Sequence, residues 1–238
     1  MELIVCDDAA ALARRAADAI VRRVRAAPAL AMAVPAGRTP RRMYEELAAQ
    51  HRQGHLDFSA MRVFAVDELC PPAPPEGYFW RQVRREFLSW AGIPTEQCRR
   101  FGVEEPELEV MCEAYEAAIT RAGGLDVVML GLGPNGHIAS NEPGCAFDCT
   151  TRRVRLLPET VRYILTDDVI QGSVSDTAVT LGIRTIMEAR EVIVLVSGAA
   201  KRGPLAALLN GTVTPSMPAS ILQRHRRCLI LADREALG

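Results

Sequence analysis

VVMLGLGPNGHIASNEPG, Val127 to Gly144, carries the stretch on which the fold turns. Val127 to Leu130 are apolar without interruption, and together with Leu125-Asp126 they read as a short buried strand. Glycines follow at 131, 133 and 136, a fourth closes the segment at 144, and Asn135, His137, Asn141 and Glu142 stand between them. A buried strand that ends in a glycine-rich, polar turn is the mark of a sheet whose loops carry chemistry.

The pattern repeats outward from there. Apolar runs at 2–5, 29–34, 62–66, 191–197 and 228–232 read as further strands, each free of the polar alternation that a half-exposed strand shows. Between them lie segments of helical period: 9–25, capped by Asp7-Asp8, then 40–49 opened by Pro40, 78–90, 107–122, 176–189 and 199–209. Alternation of this kind predicts an α/β fold: a mostly parallel sheet with helices on both faces, a Rossmann-like three-layer sandwich, as one domain over residues 1–238. The stretch from Cys145 to Ser175 gives no clear period and reads as short antiparallel strands or a lid.

Composition narrows the function. The 238 residues are 49% hydrophobic and carry a net charge of −1, so no global field favours nucleic acid or an anionic membrane surface. No apolar run approaches the length of a membrane span. The seven cysteines, with no signal-like segment before Cys6, read as free thiols in a reducing, cytoplasmic setting. Cys145 and Cys149 lack the further ligands that a zinc site needs and read as buried thiols.

In a parallel sheet, ligands bind beyond the carboxyl ends of the strands. Four polar loops fall there. Gly37-Arg38-Thr39 precedes a helix start, where backbone N–H groups and the Thr39 hydroxyl suit an anion, or where Thr39 simply caps the helix. Lys201 lies near another helix start, unfavourable with the dipole, and is either solvated or partnered by an anion. Asp67-Glu68 ends a strand, where a carboxylate in an apolar setting can shuttle protons or serve as a turn residue. His137, with Gly136 beside it and Glu142 behind, can transfer protons near neutral pH or be structural.

VPAGRTPRRMYEEL, FAVDEL, VVMLGLGPNGHIASNEPG and VSGAAKRGPLAALLNG occur in the order and spacing of the glucosamine-6-phosphate deaminase/isomerase family, which includes 6-phosphogluconolactonase relatives. The chain resembles the deaminase branch, because the histidine is followed by Asn141-Glu142-Pro143-Gly144. The resemblance implies aldose–ketose isomerisation of a phosphorylated amino sugar with release of ammonia, and no metal or cofactor. It gives Asp67 as the base moving a proton between C2 and C1, His137 as the ring-opening group, Glu142 as its orienting partner, and Thr39 and Lys201 as phosphate ligands, with Gly37, Glu68 and Gly136 beside them. Assembly into a homo-oligomer is left open.

Four departures stand out. Asn135 occupies a position where the family usually has aspartate, so an amide replaces a charge beside His137. Arg38 replaces the second glycine of the phosphate loop, and Gly77 replaces a serine before Tyr78-Phe79. The family's phosphate-binding arginine is not evident: matching Val174 to Gly182 with the family's stretch puts Leu165 there, with Arg162 nearby and Arg38 as a candidate substitute. These changes point to an altered substrate. They also sustain two other readings, a lactonase in which His137 activates water and a non-catalytic sugar-phosphate-sensing module.

Overall fold

The computed structural model describes residues 1–54, 56–167, 170, 172 and 174–238. The chain runs through β1 (Glu2–Cys6), α1 (Ala9–Ala26), β2 (Ala31–Val34), α2 (Arg38–Arg52), β3 (Arg62–Ala65) and β4 (Asp67–Leu69). Next, α3 (Tyr78–Val83) passes through a π-helical turn at Arg84–Leu88 into α4 (Ser89–Ala91). Then come β5 (Cys98–Arg99), α5 (Leu108–Arg121), β6 (Val127–Gly131), β7 (Arg152–Arg155), α6 (Pro158–Ile164) and β8 (Thr177–Thr180). The chain ends with α7 (Ile183–Met187), β9 (Glu191–Val196), α8 (Arg202–Asn210), β10 (Cys228–Asp233) and α9 (Arg234–Leu237).

Seven strands form one parallel sheet in the order β1-β10-β9-β6-β2-β3-β5. Every residue of β2, β9 and β10 is buried, so both faces of the sheet centre are covered, as continuous apolar runs require. α1 shows how the cover is built. Asp8 Oδ1 accepts the Ala11 N–H at 2.7 Å, and Leu12, Ala16, Ile20 and Val24 form one buried stripe at helical spacing. Each fully buried leucine, isoleucine or valine of that stripe contributes roughly 1.5–3 kcal/mol.

The strand order sets the position of the site. From β2 the chain adds strands toward β5, whereas from β6 it adds them toward β10. The direction of winding therefore switches between β2 and β6. Their carboxyl ends, Pro35 onward and Leu132 onward, leave a crevice at that switch.

A second sheet, antiparallel in the order β4-β8-β7, stands beside the first. It overturns the helix expected over 176–189: residues 177–180 are β8, and helix forms only after Gly182, in α7. Thr177, Val179 and Thr180 are β-branched and find partners on both sides, which decides a segment with weak helical period. Within the unassigned 145–175 stretch, β7 is antiparallel as one expectation had it, and α6 follows; Asp168, Val169, Gln171 and Ser173 lie outside the described residues. Leu69, Leu156, Ile170 and Ala178 form a small apolar cluster of their own beneath α6. The helix expected from Pro40 begins at Arg38, with Gly37 rather than Thr39 at its cap. Among the described residues no helix is long and apolar enough to cross a membrane.

Candidate active site

The crevice at the switch is a cleft of about 1020 Å³, counting its open mouth. Gly37, Arg38, Thr39, Asp67, His137 and Lys201 all line it. Asn135 and Glu142 stand behind His137. Glu68, Gly136 and Arg162 do not line it.

Asp67 opens β4 and pairs in register with Thr180 of β8. Ser140 donates its hydroxyl to Asp67 Oδ2 at 2.7 Å. Ser140 is aimed by a tight turn in which Asn141 N–H bonds Ile138 C=O at 3.0 Å and Ala139 takes a φ of +51°. Burial pushes the Asp67 carboxyl up to about 6, against the lowering effects of the Ser140 hydrogen bond and of charge on His137. A carboxylate in this state gives and takes protons near neutrality.

His137 lies over Gly133, where a Cβ would stand 2.3 Å from the ring. Asn135 Oδ1 accepts the backbone N–H of His137 at 3.2 Å and faces Nδ1 at 2.8 Å. A backbone N–H can only donate, so the Asn135 oxygen faces the histidine and Nδ1 carries the proton. Nε2 is left as the acceptor. The other end of the amide, Nδ2, donates to Glu142 Oε2 at 2.8 Å. Asn135 is thus a neutral bridge between the imidazole and a carboxylate whose own oxygen is 3.7 Å from Nδ1.

Burial would raise the Glu142 carboxyl, but His137, Thr160 and the bond from Asn135 outweigh it and hold the group down to about 2. Glu142 Oε1 also accepts the Leu157 N–H at 3.1 Å, at the start of α6. The same carboxylate therefore orients the histidine and anchors the helix that roofs the cleft.

The cations lie at the other side of the cleft. Lys201 is only 9% exposed and has no carboxylate partner among the described residues. Its Nζ donates to the Tyr163 hydroxyl at 3.2 Å and lies 4.6 Å from that ring's centroid. Asp233 fixes the turn leading to Lys201 by accepting the Ser197 hydroxyl and the Gly198 N–H. Arg38 lies 5.2 Å from the Tyr163 centroid and donates to Thr166 Oγ1 at 2.9 Å. Gly37 is clamped at both main-chain atoms by buried Gln82, at 3.3 and 3.2 Å.

Three of the residues expected beside the substrate lie outside the cleft lining. Glu68 does not face a ligand. It is 1% exposed, and its carboxylate accepts the N–H groups of Leu69, Phe79 and Trp80, tying β4 to the start of α3. Burial pushes it up to about 7. Gly136 meets Met217, whose Sδ would lie 1.9 Å from an added Cβ, so it is a packing glycine. Arg162 is exposed on α6, outside the cleft lining.

Gly77, read as a change near substrate, has a packing cause. Its φ is +79°, and a Cβ would stand 2.1 Å from the Glu68 carboxyl carbon. Gly77→Ala is expected to destabilise the fold by about 2–4 kcal/mol, through backbone strain and loss of the Glu68 bonds. Urea unfolding measures this, and a loss below about 0.5 kcal/mol would show that the loop relaxes freely.

A winding switch that gathers a carboxylate raised to about 6, a hydrogen-bonded histidine and a buried cation gives an α/β protein a cleft suited to acid–base work on a small anionic ligand. The chain belongs to the family described as glucosamine-6-phosphate isomerases/6-phosphogluconolactonase, whose model matches residues 7–231. It is 37% identical over 238 residues to a glucosamine-6-phosphate deaminase of Cutibacterium acnes, covering 99% of this chain and 91% of that one. To the deaminase of Shouchella clausii it is 36% identical over 230 residues, covering 94% and 92%. Among solved structures, one described as a monomeric glucosamine-6-phosphate deaminase superposes with a TM-score of 0.94 at 28% identity, over 100% of both chains. A 6-phosphogluconolactonase of Trypanosoma brucei shares the fold at 24% identity with a TM-score of 0.76, over 99% of this chain and 97% of that one.

Proposed function

We propose that the chain is a glucosamine-6-phosphate deaminase, turning glucosamine 6-phosphate and water into fructose 6-phosphate and ammonia. The observation that carries this is Asp67: a carboxylate raised to about 6 in the same cleft as His137 and a buried lysine that has no carboxylate partner among the described residues. The phosphate rests against Lys201, Thr39 and the open N–H groups at the start of α2, with Arg38 as the further cation in place of the missing arginine. His137, its Nε2 free, takes the anomeric hydroxyl proton and passes it to the ring oxygen as the C1–O5 bond breaks, which opens the pyranose to the aldehyde. Asp67 removes the C2 proton, the C1 oxygen takes a proton from the amino group to give an enolamine, and Asp67 returns its proton to C1, leaving a C2 imine and a C1 hydroxyl. Water adds to C2, and the carbon–nitrogen bond breaks to release ammonia.

Purified protein given glucosamine 6-phosphate and, separately, a 6-phosphogluconolactone tests this reading. Ammonia and a ketose 6-phosphate from the first support it. Hydrolysis of the lactone alone would make the chain a lactonase, and thermal stabilisation by both without turnover would make it a sensor.

The Asn135 bridge gives a second test. Asn135→Asp places a carboxylate where an amide N–H now meets Glu142 at 2.8 Å. Two carboxylates that close favour a proton on the neighbouring imidazole, so His137 is expected to titrate about one pH unit or more higher than in the parent protein. An NMR titration of the His137 ring follows it. An unchanged His137 titration would show that the new carboxylate is protonated instead.

A further inference from the structure

Ser140 lines the cleft, is 5% exposed, and has its main chain braced against the end of β8. Its N–H donates to Thr180 Oγ1 at 3.1 Å, and Thr180 is the residue that faces Asp67 across the β4–β8 pair. The next residue, Asn141, is fully buried. Its Nδ2 donates to Ile138 C=O at 3.0 Å and to Leu181 C=O at 2.8 Å, which ties the turn to the chain just after β8. Ala139 holds a left-handed φ of +51° within this turn. A residue other than glycine keeps that conformation at a cost, and only where its surroundings impose it. The contact that all this bracing delivers is the Ser140 hydroxyl on Asp67 Oδ2, at 2.7 Å. Among the described residues no donor stands on Oδ1.

We propose that Ser140 is a positioning residue for the reaction: its hydroxyl occupies Asp67 Oδ2 and fixes the plane of the carboxylate, so that Oδ1 alone exchanges protons with the sugar carbons. This rests on the reading of Asp67 as the base of a deaminase. Oδ1 takes the C2 proton and returns it to C1, while the serine keeps its own proton throughout. The Ser140 bond survives both states of the carboxyl, because Oδ2 still accepts when the proton is on Oδ1.

The bond is stronger to the ionised state, since a charged acceptor strengthens it. Ser140 therefore acts twice on one group. It stops the carboxylate from turning away from the sugar, and it offsets part of the burial that pushes Asp67 up to about 6. The charged groups nearest Asp67 are His137, whose charge lowers it as well, and Glu68, its neighbour on β4. Arg38 and Lys201 line the other side of the cleft. Among the described residues the Ser140 hydroxyl bonds Asp67 alone, so removing it acts on Asp67 directly.

Ser140→Ala deletes the hydroxyl and keeps the N–H that meets Thr180. In ligand-free protein the side-chain carboxyl carbons of isotope-labelled aspartate are titrated by NMR, Asp67 being the signal that Asp67→Asn lacks. Asp67 is expected to titrate about one pH unit higher in Ser140→Ala than in the parent. With glucosamine 6-phosphate as substrate, the acid limb of kcat/KM reports the free enzyme and should move up by the same amount. Relative to the parent, kcat/KM should then fall about tenfold further at pH 5 than at pH 8. Ser140→Cys, a weaker donor, should shift both readouts in the same direction by less. A serine that only supports the fold would lower the melting temperature and leave both titrations where they were. An unmoved Asp67 titration in the two variants, or an acid limb that stays in place while the titration moves, would overturn the assignment and leave the deaminase reading intact. A parent protein that releases no ammonia yet shows the shifted titration would instead sink the deaminase reading while supporting the hold of Ser140 on Asp67.

Discussion

Asp67→Asn is expected to cut kcat by a factor on the order of 10²–10⁴, the usual effect of losing a general base, while raising the melting temperature. The two effects share one cause. Burial makes the ionised Asp67 costly, which is why its carboxyl is pushed up to about 6. An amide of the same shape keeps an oxygen for the Ser140 hydroxyl and carries no charge into the cleft. The gain is on the order of 1–3 kcal/mol near neutral pH. The native state binds this proton more tightly than the unfolded chain does, whose aspartate titrates near its ordinary value of 3.8. Parent stability relative to the variant therefore declines as pH rises from about 4 to about 6, and is level above that. Activity runs the opposite way, because the base must be ionised, so kcat/KM should fall as pH drops through about 6. Thermal melts and rate profiles across that window check both. A destabilised Asp67→Asn protein with normal turnover would mean that Asp67 is a structural residue.

Lys201→Ala is expected to weaken binding of fructose 6-phosphate and of inorganic phosphate about tenfold to hundredfold, since a charge-assisted bond contributes roughly 1.5–3 kcal/mol. Lys201 is buried against Tyr163 with no acidic partner among the described residues, so little screening weakens its hold on an anion. Arg38→Ala should cost less, because nearly half of that side chain is exposed and it already leans on Thr166. Calorimetric titration ranks the two. Equal affinities in the parent and Lys201→Ala proteins would move the phosphate elsewhere in the cleft.

The central strands were legible because Val127 to Leu130 and the runs like it are apolar on both faces, which only a covered parallel sheet explains. β7, with the sequence Arg152-Arg153-Val154-Arg155, was not, since its pairing comes from β8 and not from its own pattern. Asp67 and His137 were legible from their places beyond the carboxyl ends of β3 and β6, although Asp67 opens β4 and does not close the strand before it. Glu68 was misread because successive residues of a strand point to opposite faces: with Asp67 toward the cleft, Glu68 points into the packing under α3. Ser140, Gln82 and Tyr163 went unnoticed because tertiary contacts alone bring them to the cleft. The spacing of Asn135 and Glu142 around His137 was visible, but only the bond geometry shows the amide bridging the two.

The most direct test is a proton NMR time course of glucosamine 6-phosphate with the purified chain, beside its Asp67→Asn variant. The substrate resonances should give way to those of fructose 6-phosphate with one ammonia released per sugar, and the variant should leave the substrate intact over the same period. Unchanged substrate with the parent protein, or equal conversion by the variant, would contradict the account of Asp67 as the base of a deaminase.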